Sequence, residues 1–275
     1  MSVAAGRPAP AAAREQLPTL FISHGSPMHA LEAGAAGASW ARLAGQLPRP
    51  RALLMVSAHW ETAHPALTES AQPATIHDFY GFPEPLYRLR YPAPGAPDVA
   101  ARVCALLAAA GFEVALDPER GLDHGAWSPL LHMYPQAALP VVQLSVQTRQ
   151  NTAHHLAVGR ALRPLTADGV LVIGSGHMTH NLRDRTPGGE AAAPLAYARD
   201  FRDWIHARVA ARDLDALADY RAQAPHARRA HPSEEHFLPL FVALGAAADR
   251  YRARRVHQGI ESGALAMDSY CFEPS

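Results

Sequence analysis

Three strongly apolar runs in this chain each stop at a histidine. They are Thr19-Leu20-Phe21-Ile22-Ser23-His24, Leu53-Leu54-Met55-Val56-Ser57-Ala58-His59 and Val170-Leu171-Val172-Ile173-Gly174-Ser175-Gly176-His177. Short runs this apolar read as strands buried on both faces, the kind that layered α/β sheets contain. In such sheets, ligands bind in the crevice beyond the carboxyl ends of the strands. Histidines delivered there from separate strands can converge on one point, as the ligands of a metal ion must. The pattern therefore points to an α/β sheet with a metal centre at the strand C-terminal ends.

Composition narrows the chemistry further. The 275 residues carry a formal net charge of zero, so no charge surplus points to nucleic acid or to an acidic membrane surface. All 25 basic residues are arginine, which removes lysine Schiff-base chemistry and a P-loop lysine. Sixteen histidines stand against two cysteines, Cys104 and Cys271, with no Cys-x-x-Cys pair. A metal site here must use imidazole and carboxylate, and two distant thiols fit a reducing, cytoplasmic setting. No apolar run reaches membrane-spanning length, and no secretory signal is expected in the Ala/Pro-rich start. Residues 1–16 are expected to form a disordered extension and residues 17–275 one catalytic α/β domain, because no repeat, heptad run or linker divides them.

Strand and helix patterns alternate along the chain. Helices are expected at 39–47, 98–110, 154–165, 193–212, 214–220 and 235–248. Beyond the three runs, strands are expected at 113–116, 139–146, 251–258 and 264–272. Residues 72–97 form a Pro-rich aromatic segment, too long for a simple connection and suited to a pocket wall.

Five histidine surroundings stand out, and each also has a purely structural explanation. His24 precedes Gly25, which permits a tight turn, and His59 precedes Trp60, a possible apolar wall. In Gly174-Ser175-Gly176-His177-Met178-Thr179-His180-Asn181, two glycines let the backbone turn and two histidines follow at a spacing of three. On a helix they would share a face, one binding metal and the other moving protons. His236 lies at the edge of the apolar face made by Phe237, Leu240, Phe241 and Leu244, which favours it over Glu235 as an inward ligand; Glu234 stays open, and Pro239 disturbs the helix. His124 follows Asp123, which either orients it or caps the next helix. The remaining histidines lack such surroundings.

Taken in order from Leu17 to Phe272, these segments resemble the class III extradiol ring-cleaving dioxygenase superfamily, in its single-chain 4,5-DOPA-dioxygenase-like branch. The resemblance rests on His24-Gly25-Ser26-Pro27, Ser57-Ala58-His59-Trp60, the stretch from His77 to Gly95 and Asp123-His124-Gly125-Ala126-Trp127. It continues through Gly174 to Asn181, Glu234-Glu235-His236-Phe237 and Met267-Asp268-Ser269-Tyr270. It implies an α/β fold around a central mixed β-sheet flanked by helices, with one divalent metal ion per chain. The implied ligands are His24, His59 and a residue of the Glu234–His236 segment, with His177 as a fourth. A two-His, one-carboxylate triad would suit non-haem Fe(II), whereas the all-histidine set expected here suits Zn²⁺. The resemblance implies Fe(II) for dioxygenase activity and Zn²⁺ in the protein as isolated.

The implied reaction inserts both atoms of O₂ into a small catechol, with His180 as a general base titrating near neutrality. His124 would hydrogen-bond substrate or oxygen, Trp60 and the aromatic loop would pack on the ring, and Tyr270 would offer a hydroxyl. Two alternatives stand beside it: a zinc-dependent hydrolase using the same histidines, and a non-enzymatic binding protein of the Memo type, which resembles this superfamily in fold. The sequence sets neither the catechol nor the oligomeric state.

Overall fold

The computed structural model describes residues 16–275, so the extension expected over 1–16 lies, apart from Gln16, outside the described residues. Its strands are β1 (Thr19–Ser23), β2 (Ala52–Glu61), β3 (Ala66–Thr68), β4 (Ala115–Asp117), β5 (Val141–Val146), β6 (Val170–Gly176), β7 (Tyr251–His257), β8 (Ile260–Glu261), β9 (Leu265–Ala266) and β10 (Ser269–Pro274). Eight of them form one sheet in the order β4-β3-β5-β2-β6-β1-β10-β7, and β8 pairs with β9. The sheet is mixed. Its centre, β5-β2-β6-β1, is parallel, and β10 and β7 join antiparallel at one side.

Period-two alternation distributes the apolar runs between two cores. Leu53, Met55, Leu171 and Ile173 pack on one face, with Trp40 and Trp127. Leu54, Val56, Val170 and Val172 pack on the other, with helices Pro97–Ala109 and Leu238–Ala246. Burial on both faces is why these strands read as continuous apolar runs.

Parallel register places the histidines together. Ser23 lies opposite Gly176, and Ser57 opposite Ser175. One and two residues further on, His24 and His59 reach the level of His177 across three adjacent strands. Strand β2 outruns its expected end, and its register with β5 breaks between Val56 and Glu61, so His59 sits on an irregular stretch that can re-aim it.

The helix expected at 235–248 begins at Leu238 instead. Pro239 is the cause: it lacks an N–H and is tolerated only in a first turn, so the helix cannot start a turn earlier. His236 consequently sits on the turn before the helix, where Phe237 N–H donates to the Glu234 carbonyl at 2.8 Å. The expected strand 264–272 is divided into β9 and β10. The short strand β3 and the helix Glu84–Arg88 escape sequence reading, being too brief to show a period. The expected strand at 113–116 appears as β4.

Candidate metal centre and substrate cavity

Among the described residues, the donor nitrogens of His24, His59 and His236 all lie within 4.8 Å of one another. The Nε2 atoms of His24 and His59 are 3.1 Å apart, and those of His59 and His236 are 3.2 Å apart. Each ring has a partner for its other nitrogen. His24 Nδ1 is 3.0 Å from Ser175 Oγ, and His236 Nδ1 is 3.0 Å from Glu235 Oε1. His59 Nδ1 is 3.5 Å from Asp78 Oδ2.

These partners set the tautomers. The Ser175 hydroxyl donates to the Gly125 carbonyl, so toward His24 its oxygen can only accept. Carboxylates likewise accept. The protons of His24 and His236 therefore sit on Nδ1, and their bare Nε2 lone pairs face His59 Nε2. Burial drives His24 and His236 well below the ordinary imidazole range, and burial with the charge of His124 takes His59 down to about 3. Neutral imidazoles whose Nε2 atoms converge this closely are well placed to share a cation between them. Nitrogens each about 2 Å from one ion stand roughly 3 Å apart, so the donor set fits a divalent metal.

The other predicted residues surround this cluster. His177 is buried and lines the same cavity, but it is not in the three-nitrogen group, and its ring centroid is 6.2 Å from that of His24. Its backbone N–H is pinned to the His236 carbonyl at 2.7 Å, and neither ring nitrogen has a hydrogen-bond partner. The shared helix face for His177 and His180 is not formed, since the next helical turn starts only at Leu182. The two rings still lie 5.6 Å apart. His180 stacks on His236 with centroids 3.5 Å apart and planes at 16°. Burial, then the charge of His124, lowers His180 to about 4, below the near-neutral value expected.

Glu234 faces away from the cluster, taken up by Tyr220 at 2.6 Å and Arg221 at 3.0 Å, which leaves His236 as the segment's inward donor. His124 is held by Asp78 rather than by Asp123: Nδ1 to Oδ2 is 2.9 Å, and its backbone N–H donates to Oδ1 at 2.8 Å. Burial pushes the Asp78 carboxyl up, but the His124 contacts outweigh it and hold the group at about 2. Asp123 caps helix His124–Met133 and accepts from Ser57 at 2.6 Å. Sequence reasoning misses Asp78 because its role is visible only once the aromatic loop folds over the sheet. The one available signal is an acid inside a segment that reads as a pocket wall.

The cavity measures about 320 Å³. Phe79, Tyr80 and Phe82 from the aromatic loop line it, together with Leu182 and Leu265. Trp60 and Tyr270 do not. Trp60 packs against the Arg120 guanidinium, and the Tyr270 hydroxyl meets His206 Nδ1 at 3.2 Å. No helix among the described residues is long and apolar enough to cross a membrane.

Comparison with known proteins agrees with this architecture. Residues 18–266 match the family described as the catalytic LigB subunit of aromatic ring-opening dioxygenase. The chain is 42% identical over 259 residues to a 4,5-DOPA dioxygenase extradiol of Beta vulgaris, covering 92% of this chain and 96% of the relative. It is 40% identical over 256 residues to the protein of that name from Escherichia coli K12, covering 92% and 93%. The crystal structure of an uncharacterized protein from Escherichia coli K12 superposes with a TM-score of 0.79 at 35% identity, over 93% of this chain and 99% of that one. The chain belongs to the LigB family of aromatic ring-opening dioxygenases, in the branch that contains the 4,5-DOPA dioxygenases.

Proposed function

We propose that this chain is a metal-dependent extradiol dioxygenase that inserts both atoms of O₂ into a small catechol, using one divalent ion held by His24, His59 and His236. The observation that carries this reading is the set of Nε2 atoms converging at 3.1 and 3.2 Å beside an aromatic-walled cavity. When bound, Fe(II) supplies Lewis acidity toward the catechol oxygens and electron transfer with O₂.

The protein's own groups divide the remaining work. His180 is neutral at pH 7 and lines the cavity, so it can accept a proton from a catechol hydroxyl. Glu235 stands 4.0 Å from its Nδ1, where its charge would favour the protonated ring. His124 lines the cavity with Nδ1 committed to Asp78, which leaves Nε2 for substrate or oxygen. His177, buried with two unpartnered nitrogens, offers a further hydrogen bond inside the cavity. The apolar wall of Phe79 and Phe82 supplies contact area for an aromatic ring.

An all-imidazole donor set also favours zinc, and with it the hydrolase reading, in which a zinc-activated water attacks an ester or amide. Anaerobic loading with Fe(II), followed by oxygen-uptake measurements with DOPA, caffeate and protocatechuate, separates the two. Ring opening predicts catechol-dependent uptake and a yellow product. Ester turnover without O₂, and no uptake with any catechol, would establish the hydrolase instead.

A further inference from the structure

The turn that carries His236 belongs to no strand and meets the sheet side through a different histidine. His231 is fully buried and outside the cavity wall, its ring packed between Phe201 and Phe237 at centroid distances of 5.5 and 4.7 Å. Its Nε2 is 2.9 Å from the carbonyl oxygen of Met178, the residue that follows His177. A carbonyl only accepts, so the ring proton sits on Nε2; burial takes the group down to about 3 and keeps it neutral. Met178 is itself fully buried, and His231 is its carbonyl's only donor among the described residues. Two backbone hydrogen bonds run beside this one. His177 N–H donates to the His236 carbonyl at 2.7 Å, and His180 N–H to the Ala230 carbonyl at 2.8 Å.

The segment 177–180 is also fixed from its far side. Met178 N–H donates to Ser23 Oγ at 3.1 Å, while Thr179 Oγ1 donates to the Ala264 carbonyl at 2.7 Å and accepts from Ala266 N–H at 2.6 Å. The turn 230–236 is the freer partner, and His231 supplies its only side-chain hydrogen bond to that segment among the described residues. We propose that His231 is a positioning residue: through the Met178 carbonyl it sets the spacing between the turn bearing His236 and the segment bearing His180, and so the stack of candidate base on candidate ligand. The consequence for turnover rests on the ring-opening reading; the spacing itself does not. Phenylalanine would fill the same aromatic surroundings but leave a buried carbonyl without a donor, which favours parting of the two segments. Glutamine carries an amide N–H that can take the place of the Nε2–H.

The test compares wild type, H231F and H231Q as full-length chains. Amide hydrogen exchange, read by NMR with added diamagnetic Zn²⁺, is followed at His177 and His180 and at the β6 amides before them. In H231F, exchange at His177 and His180 is expected to quicken about ten-fold or more while β6 stays within about two-fold, with recovery in H231Q. On the Fe(II)-loaded forms, H231F should lose kcat about ten-fold or more with little change in KM, again with recovery in H231Q. Exchange at the two amides that moves less than about two-fold, a rise of equal size throughout the chain, or no recovery in H231Q overturns the assignment. If H231F does not fold, the imidazole ¹⁵N shifts of wild-type His231 decide: a slowly exchanging Nε2–H supports the assignment, and an Nδ1–H tautomer overturns it. If the wild type consumes no O₂ with any catechol, the ring-opening reading fails, and the exchange pattern still judges His231 by the same criterion.

Discussion

His180 lies flat against His236, ring centroids 3.5 Å apart, so the candidate base is positioned by the candidate ligand. The stack uses the faces of both rings, so it leaves the contacts of His236 Nδ1 with Glu235 and of Nε2 with His59 in place. His180→Gln is expected to lower kcat by about 10²–10⁴-fold while metal stoichiometry stays at the wild-type value. Oxygen uptake and metal analysis on the same preparation check both halves. Loss of metal alongside activity would make His180 a ligand.

Ser175 holds His24 by accepting from Nδ1 and is itself fixed by donating to Gly125. Ser175→Ala removes that support without touching a donor atom. Metal affinity should weaken about 10–100-fold, as read by chelator competition. An unchanged affinity would show that burial alone orients the His24 ring.

A glycine sets the approach of the His236 segment to the sheet. A Cβ at Gly176 would lie 2.1 Å from the His236 carbonyl oxygen and 3.0 Å from its carbon. Both are backbone atoms and cannot swing aside. Gly176→Ala should destabilise the fold by about 1–3 kcal/mol and displace His236, lowering the melting temperature and metal content together. Normal metal loading in a destabilised variant would separate packing from ligand placement.

His29 and Glu261 make the site's flank pH-sensitive. Burial lowers the His29 pKa, but the hydrogen bond and charge of Glu261 outweigh it, so the folded value is raised. Stabilisation from the pair is therefore full below about pH 6.5, the unfolded imidazole value, and is lost as pH rises through the folded value. The melting-temperature gap between wild type and Glu261→Gln should be widest in mild acid and shrink in mild base. A gap that grows with pH would contradict the assignment.

Much of the site is legible in the sequence because strand-end residues keep their sequence neighbours. His24, His59 and His177 follow apolar runs that become adjacent parallel strands, so chain order alone brings them to one level. His236 is legible too, though partly for the wrong reason: Pro239 delays the helix whose apolar face selects it. Asp78 and Glu235 are not legible as partners of the site. Each reaches it through loop geometry, and no periodicity in the sequence encodes which carboxylate meets which imidazole. Trp60 misleads because adjacency along an irregular strand does not mean a shared face.

The most direct test follows the oxygen atoms. Wild-type protein loaded anaerobically with Fe(II) is given a catechol and ¹⁸O₂, and the product is examined by mass spectrometry beside His59→Ala and His236→Ala. The expected result is one O₂ consumed per catechol, both labelled atoms in a ring-opened product, and loss of metal and turnover in both variants. Stoichiometric Fe(II) binding with no oxygen uptake on any catechol, or full activity in either variant, would contradict a ring-opening centre built on these histidines.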